Sequence, residues 1–196
     1  VAGAEKLSQE LCDAFETKFG VRPVEGYGAT ELSPLVSVNV PPSRSQTSET
    51  DCLEGSVGRP VPGVTAKTVD PDTFEDLPLG TPGMLLIKGP NVMKGYLGDQ
   101  DLTAKVVQQG WYVTGDIAVV DLQGFITITG RLSRFSKIGG EMVPHENIEK
   151  EILKLVQTED DELIRAAVTS VPDPKKGERL IVMHTGLEQS PQAICD

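Results

Sequence analysis

Three short clusters hold the side chains whose types and order could do chemistry: Gly26-Tyr27-Gly28-Ala29-Thr30-Glu31, then Tyr112-Val113-Thr114-Gly115-Asp116, then Gly130-Arg131 running through Lys137 and Gly139-Gly140 to Ile148-Glu149. Together they supply an aromatic face, a hydroxyl, carboxylates and cations. That inventory suits a nucleoside phosphate and its metal. Gly26 and Gly28 let backbone approach a flat ring or a phosphate that a Cβ would hold off. Tyr27 can stack on a purine, Thr30 can donate to a phosphate oxygen, and Glu31 offers the oxygen donor that magnesium prefers. Asp116 can accept from both ribose hydroxyls in charge-assisted bonds. The Arg131 fork can reach ribose or phosphate oxygens. A dinucleotide fingerprint is excluded, because Glu31 stands where the third glycine belongs.

Each residue also has a plainer reading. The glycines can serve a strand-to-loop turn, and Asp116 can cap its own backbone. Arg134 and Lys137 can form a solvated basic face, which is the reading favoured for Arg134. Glu149 reads as a structural carboxylate on a helix face. His145 reads as a helix cap, His184 as a satisfied residue in an apolar strand, and Trp111 and Tyr112 as sheet packing.

The elements that must position these residues fall into three textures. Residues 2–19 read as an amphipathic helix with Leu7, Leu11 and Phe15 on one face, ended by Gly20 in the left-handed conformation. A short strand over 21–25, the Gly-rich segment as a loop, and a strand over 35–40 follow. Residues 41–54 read as an exposed polar loop. From Gly55 to Gly130, short β-branched runs at 64–69, 83–88, 117–121 and 125–129 alternate with Pro and Gly, with Gln123-Gly124 as a hairpin turn. Beyond Arg131 come a helix from His145 to Gln157, with Ile148, Ile152, Leu155 and Val156 on one face, and strands over 164–171 and 180–185. The expected fold is α+β in several parts. Residues 1–54 would close an α/β domain, 55–131 would form an antiparallel barrel-like subdomain, and 132–196 would be part of a small α+β domain.

Composition narrows the partners. A net charge of −11 argues against nucleic acid, which is gripped by clustered Lys and Arg. No run approaches the roughly 20 apolar residues of a membrane span, and acidic residues through the first 19 positions exclude a secretory signal. Cys12, Cys52 and Cys195 are odd in number and lack metal spacing, which fits a reduced, cytoplasmic setting. The chain opens on Val1 rather than methionine, which points to a stretch of a longer product.

With the clusters quoted, a family resemblance can be stated. The chain resembles the adenylate-forming enzymes: acyl-CoA and acyl-carrier-protein synthetases, peptide-synthetase adenylation domains and luciferases. Besides the three clusters, the likeness includes Gly55-Ser56-Val57-Gly58-Arg59-Pro60 and Gly89-Pro90-Asn91-Val92-Met93-Lys94-Gly95-Tyr96. The stretches Arg131–His145 and Gly177–Thr185 look most like one branch. That branch is the acyl-[acyl-carrier-protein] synthetase part of bifunctional acyltransferases that reacylate 2-acylglycerophosphoethanolamine.

The resemblance implies an ATP-dependent ligase. A carboxylic acid, a fatty acid first, becomes an acyl-adenylate and then passes to the thiol of a carrier protein or coenzyme A. Carried over by motif, Tyr27 lines the adenine pocket with Gly26 and Gly28, Thr30 binds the α-phosphate, Glu31 ligates Mg2+, Asp116 holds ribose, and Arg131 binds ribose or phosphate. Thr30, Glu31 and Arg131 are thereby catalytic, and Lys137 is a secondary nucleotide contact. The family's hinge position is Ser133 here, where Asp or Lys is commoner, and Asn147 replaces a usual Glu. The family's phosphate loop and its late catalytic lysine have no counterpart in these 196 residues, so the chain alone is expected not to form acyl-adenylate. Two rival readings stand beside this one: an amino-acid or aryl-acid adenylating enzyme, and a non-catalytic module that binds nucleotide or docks a carrier protein.

Overall fold

A computed structural model describes residues 1–3, 7–45, 51–155 and 166–185. The chain divides into two units, Val1–Thr129 and Gly130–Asp196. In the first unit, helix α1 spans Gln9–Phe19. The Ser8 hydroxyl caps it by accepting from the Leu11 amide at 3.2 Å, and Gly20 closes it at φ 69° with its amide on the Glu16 carbonyl. The helix is shorter than the expected span from residue 2, because Ala2 instead bridges Glu25 in extended form. Its expected inner face is also wrong. Leu11 is 55% and Phe15 41% exposed, whereas Cys12 is the buried residue of the helix.

Three antiparallel strands follow in the order β1 (Gly26–Gly28), β2 (Leu35–Val38) and β3 (Arg59–Pro60). The Gly-rich segment is therefore a strand, not a loop, and it ends in a 3-10 turn over Thr30–Leu32. Of the strand expected over 21–25, only the bridge at Glu25 forms, with Pro23 lacking an amide to donate. Gly28 explains the tightness of the hairpin: a Cβ there would lie 2.0 Å from the Pro34 carbonyl oxygen. The Gly55–Pro60 stretch acts as a staple. The Asn39 amide donates to the Ser56 carbonyl at 2.6 Å, and the Val57 amide to the Ile126 carbonyl at 2.8 Å.

The second sheet contains β4 (Thr65–Val69), β5 (Gly83–Lys88), β6 (Val107–Gln108), β7 (Trp111–Val120) and β8 (Ile126–Arg131), with helix α2 (Gln100–Val106) before β6. Its order is β4-β5-β7-β6, with β8 paired to β7. The antiparallel sheet expected for the middle of the chain is present. Leu32, Val36, Leu85, Ile87, Tyr112, Ala118, Val120 and Ile126 form the core of the unit. Each of the large aliphatic members contributes about 1.5–3 kcal/mol by leaving water.

In the second unit, a 3-10 turn over Leu132–Arg134 leads into β9 (Phe135–Ile138), β10 (Glu141–Pro144), α3 (His145–Leu155), β11 (Ala166–Asp173) and β12 (Gly177–His184). The sheet order is β10-β9-β12-β11. Strands β9 and β10 are short, and their sequence pattern did not announce them. The turn between them is Gly139-Gly140, at φ 59° and 95°. Ile148 and Ile152 pack on Ala166 and Val168 as the helix periodicity predicts, while Val156 and Gln157 lie outside the described residues. His184 is exposed near the end of β12, contrary to the expectation of a satisfied core residue.

Candidate functional site

The site in the first unit is built on an irregularity of β7. Met84 pairs with Ile117 and Leu86 with Val113, so Thr114, Gly115 and Asp116 together oppose the single residue Leu85. Gly115 turns this bulge at φ 75°, a conformation that disfavours any side chain. The Thr114 hydroxyl donates to the Leu85 carbonyl at 2.9 Å and accepts from the Asp116 amide at 3.0 Å. Asp116 is thus aimed by a bulge inside the continuous strand Trp111–Val120, which begins six residues before the run expected at 117–121.

Asp116 is 7% exposed, and its carboxylate accepts from the Tyr27 phenol at 2.5 Å, across 89 positions of chain. Burial first, and then the neighbouring carboxylate with its hydrogen bond, push the Tyr27 phenol far above its ordinary value. The phenol therefore donates, and Asp116 accepts.

Thr30 and Glu31 open the 3-10 turn after β1, and the Thr30 side chain is exposed. Ser33 ends the turn at φ 57° with its amide on the Thr30 carbonyl at 3.3 Å. The Glu31 carboxylate accepts from the Tyr96 phenol at 2.8 Å. Gly26 and Gly28 approach their own hairpin: a Cβ at Gly26 would lie 3.2 Å from the Ser37 carbonyl oxygen. Tyr27 and Asp116 are thus brought into direct contact, and Thr30 and Glu31 sit three and four residues beyond Tyr27.

Arg131 and Lys137 belong to the second unit. Arg131 ends β8 with an exposed side chain at the start of the Leu132–Arg134 turn. Lys137 is an exposed residue of β9 whose backbone amide donates to Glu178 at 2.5 Å. Arg134 is not the solvated cation expected. Both of its bonds to the Glu149 carboxylate measure 2.6 Å, and Glu149 also accepts the Val168 amide at 2.6 Å. His145 is more than a cap: its Nε2 lies 2.6 Å from the Ser136 hydroxyl, and both residues are buried. Burial first, and then the nearby Arg134, hold the imidazole below its ordinary value. Tyr96 and Thr114 lie inside the motifs, but nothing in their local sequence marks their contacts with Glu31 and Leu85. Only the spatial meeting of distant strands reveals them.

Comparison with known proteins adds a second line. The family model described as AMP-binding enzyme matches residues 1–97. A long-chain-fatty-acid–CoA ligase of Escherichia coli O6:H1 is 36% identical over 176 residues, which is 90% of this chain and 29% of that protein. A 4-coumarate–CoA ligase-like protein of Arabidopsis thaliana is 36% identical over 179 residues, 90% of this chain and 30% of its own length. Among solved structures, ATP-bound MatB from Rhodopseudomonas palustris superposes with a TM-score of 0.70 at 30% identity, covering 98% of this chain and 36% of that one. The chain spans about three tenths of the length of these curated relatives.

Proposed function

We propose that the chain, whose residues 1–97 match the AMP-binding enzyme family model, is the nucleotide-handling part of an adenylate-forming acyl-activating ligase. The carboxylate of a fatty acid attacks the α-phosphate of ATP, a new C–O–P anhydride forms, and pyrophosphate leaves. A thiol then attacks the acyl carbonyl and AMP departs. The relatives' names support coenzyme A as the acceptor. The likeness of Arg131–His145 and Gly177–Thr185 to acyl-carrier-protein synthetases supports a carrier-protein thiol. The aryl-CoA ligases among the similar proteins support aryl acids as the second substrate class.

The observation that carries the reading is the bond from Tyr27 to Asp116, which ties the first cluster to the second. With its phenol on Asp116, Tyr27 can offer a ring face to adenine while Asp116 receives ribose hydroxyls, and Gly26 and Gly28 keep that wall flat. The exposed Thr30 hydroxyl is the donor for the α-phosphate. On the second unit, Arg131 offers a fork suited to ribose or phosphate oxygens, and Lys137 offers a further cation. Such preset donors and charges are what phosphoryl chemistry asks of a protein.

Magnesium fits the donor set in one way only. Among the described residues no group of three or more His, Cys, Asp or Glu could cage a metal, but Glu31 is an oxygen donor beside the Thr30 hydroxyl. Magnesium is commonly held by one or two carboxylates and the substrate's own phosphates. It would neutralise phosphate charge there. Among the described residues no helix is long and apolar enough to cross a membrane.

Calorimetric titration of the chain with AMP tests the proposal. Asp116→Asn and Thr30→Val should each weaken AMP binding about tenfold, the loss of one hydrogen bond to or from a charged group. Saturable AMP binding that neither substitution changes would sink the reading.

A further inference from the structure

The segment Asn91–Tyr96 has no part in the chemistry above, yet three of its polar groups end on the turn that carries Glu31. The Asn91 amide donates to the Leu32 and Leu35 carbonyls at 3.0 and 3.1 Å. The Met93 amide donates to the Glu31 carbonyl at 2.8 Å. The Tyr96 phenol donates to Glu31 Oε1 at 2.8 Å. Glu31 is therefore held at both its backbone and its carboxylate by one neighbouring strap.

Tyr96 is itself held. Its amide donates to the Thr103 hydroxyl at 2.9 Å, and that hydroxyl donates to the Asp99 carbonyl at 2.7 Å. Gly95, at φ 145°, makes room for Thr103, since a Cβ there would lie 2.8 Å from its methyl. Thr103, Tyr96 and Glu31 are thus linked in series, from α2 to a half-buried carboxylate.

The geometry points to Tyr96 as a positioning residue that fixes the Glu31 carboxylate in the orientation that receives a phosphate-bound divalent cation. The inference rests on the metal role proposed for Glu31. A free glutamate must give up side-chain rotations when it takes a metal; one already tethered at Oε1 has given up most of them. The phenol also withholds one oxygen from the metal, so single-oxygen ligation is the mode that this tether favours.

The test uses the 196-residue chain, with Mn2+ and ATP as the probe and free Mn2+ read by electron spin resonance. Tyr96→Phe keeps the ring and should weaken Mn2+·ATP binding about tenfold, the usual cost of losing a partner behind a metal ligand. Metal-free AMP binding should stay as in the parent chain. Glu31→Gln should lose at least as much, and Tyr96→Phe/Glu31→Gln no more than Glu31→Gln alone, as expected of two groups acting as one. Parent-like Mn2+·ATP affinity in Tyr96→Phe, with Glu31→Gln weakened, overturns the inference and leaves Glu31 standing. Equal losses with and without metal also overturn it, since they mark a merely structural residue. Parent-like affinity in Glu31→Gln overturns the metal role, and the inference falls with it. If Tyr96→Phe does not fold, Thr103→Val frees the Tyr96 amide instead, and a metal-dependent loss is again expected; no loss counts against the inference.

Discussion

At the scale of single residues, the pair of Tyr27 and Asp116 decides most. A buried carboxylate is tolerated only when its oxygens are satisfied, and the phenol at 2.5 Å supplies one of those bonds. Tyr27→Phe should therefore destabilise the first unit by about 1–3 kcal/mol, the cost of removing a hydrogen bond to a charged group. Urea unfolding followed by Trp111 fluorescence measures it, and an unchanged midpoint would mean that the bond is not made in solution. In the second unit, Glu149 accepts from both Arg134 and the Val168 amide. Glu149→Ala should cost about 2 kcal/mol, because the amide loses its acceptor. Arg134→Ala should cost about 1 kcal/mol or less, because the Arg134 side chain is 37% exposed and Glu149 keeps its bond from the Val168 amide.

At the scale of elements, glycines separate into those that hold the sheets together and those that only turn. Gly58 sits at φ 83°, and a Cβ there would come within 2.0 Å of the Val38 carbonyl carbon and 2.2 Å of the Asn39 amide. Gly55, at φ 79°, has nothing within 4 Å. Gly55→Ala should cost about 1–2 kcal/mol, the left-handed penalty alone. Gly58→Ala adds a backbone collision in the staple between β2 and β8, and it should cost about 3 kcal/mol or more. Thermal denaturation of the two variants checks the contrast, and equal costs would refute the staple.

At the scale of the whole molecule, each unit has its own core, and acid should separate them. His145 is held below the ordinary imidazole value of 6.5 by burial and by Arg134, with Glu149 and Glu178 pulling the other way. The unfolded chain then binds a proton that the folded unit refuses. The stabilisation is complete above about pH 6.5 and is lost as pH falls through the lower folded value. Glu178 and Asp173 are also depressed, by hydrogen bonds from Ser170 and from the Lys175 amide respectively. Their contributions fade only below about pH 4.5 and 3.8, the ordinary values of those carboxyls. Calorimetry between pH 7 and 5 should show the second unit's transition moving down while the first stays. His145→Asn should abolish that shift. A separate expectation follows from the chain covering 29% of the ligase it matches. With ATP, magnesium and a fatty acid, it should release no pyrophosphate above blank, and measurable release would overturn this.

Much was legible in the linear chain because local chemistry is written locally. The Gly20 stop of α1, the Ile148 and Ile152 face of α3 and the β-branched runs of the middle sheet all depend on neighbours a few residues away. So do the motifs that carry the family resemblance. What residues 27, 31, 96 and 116 do to one another depends on strand register, and register is set by the packing of the entire core rather than by any short stretch. The bulge opposite Leu85, the phenol on Asp116 and the tether on Glu31 were decided there. The same reason turned Arg134 from a surface charge into half of an ion pair and buried His145 against Ser136: spacing along a chain records which groups are available, and only folding chooses which of them meet.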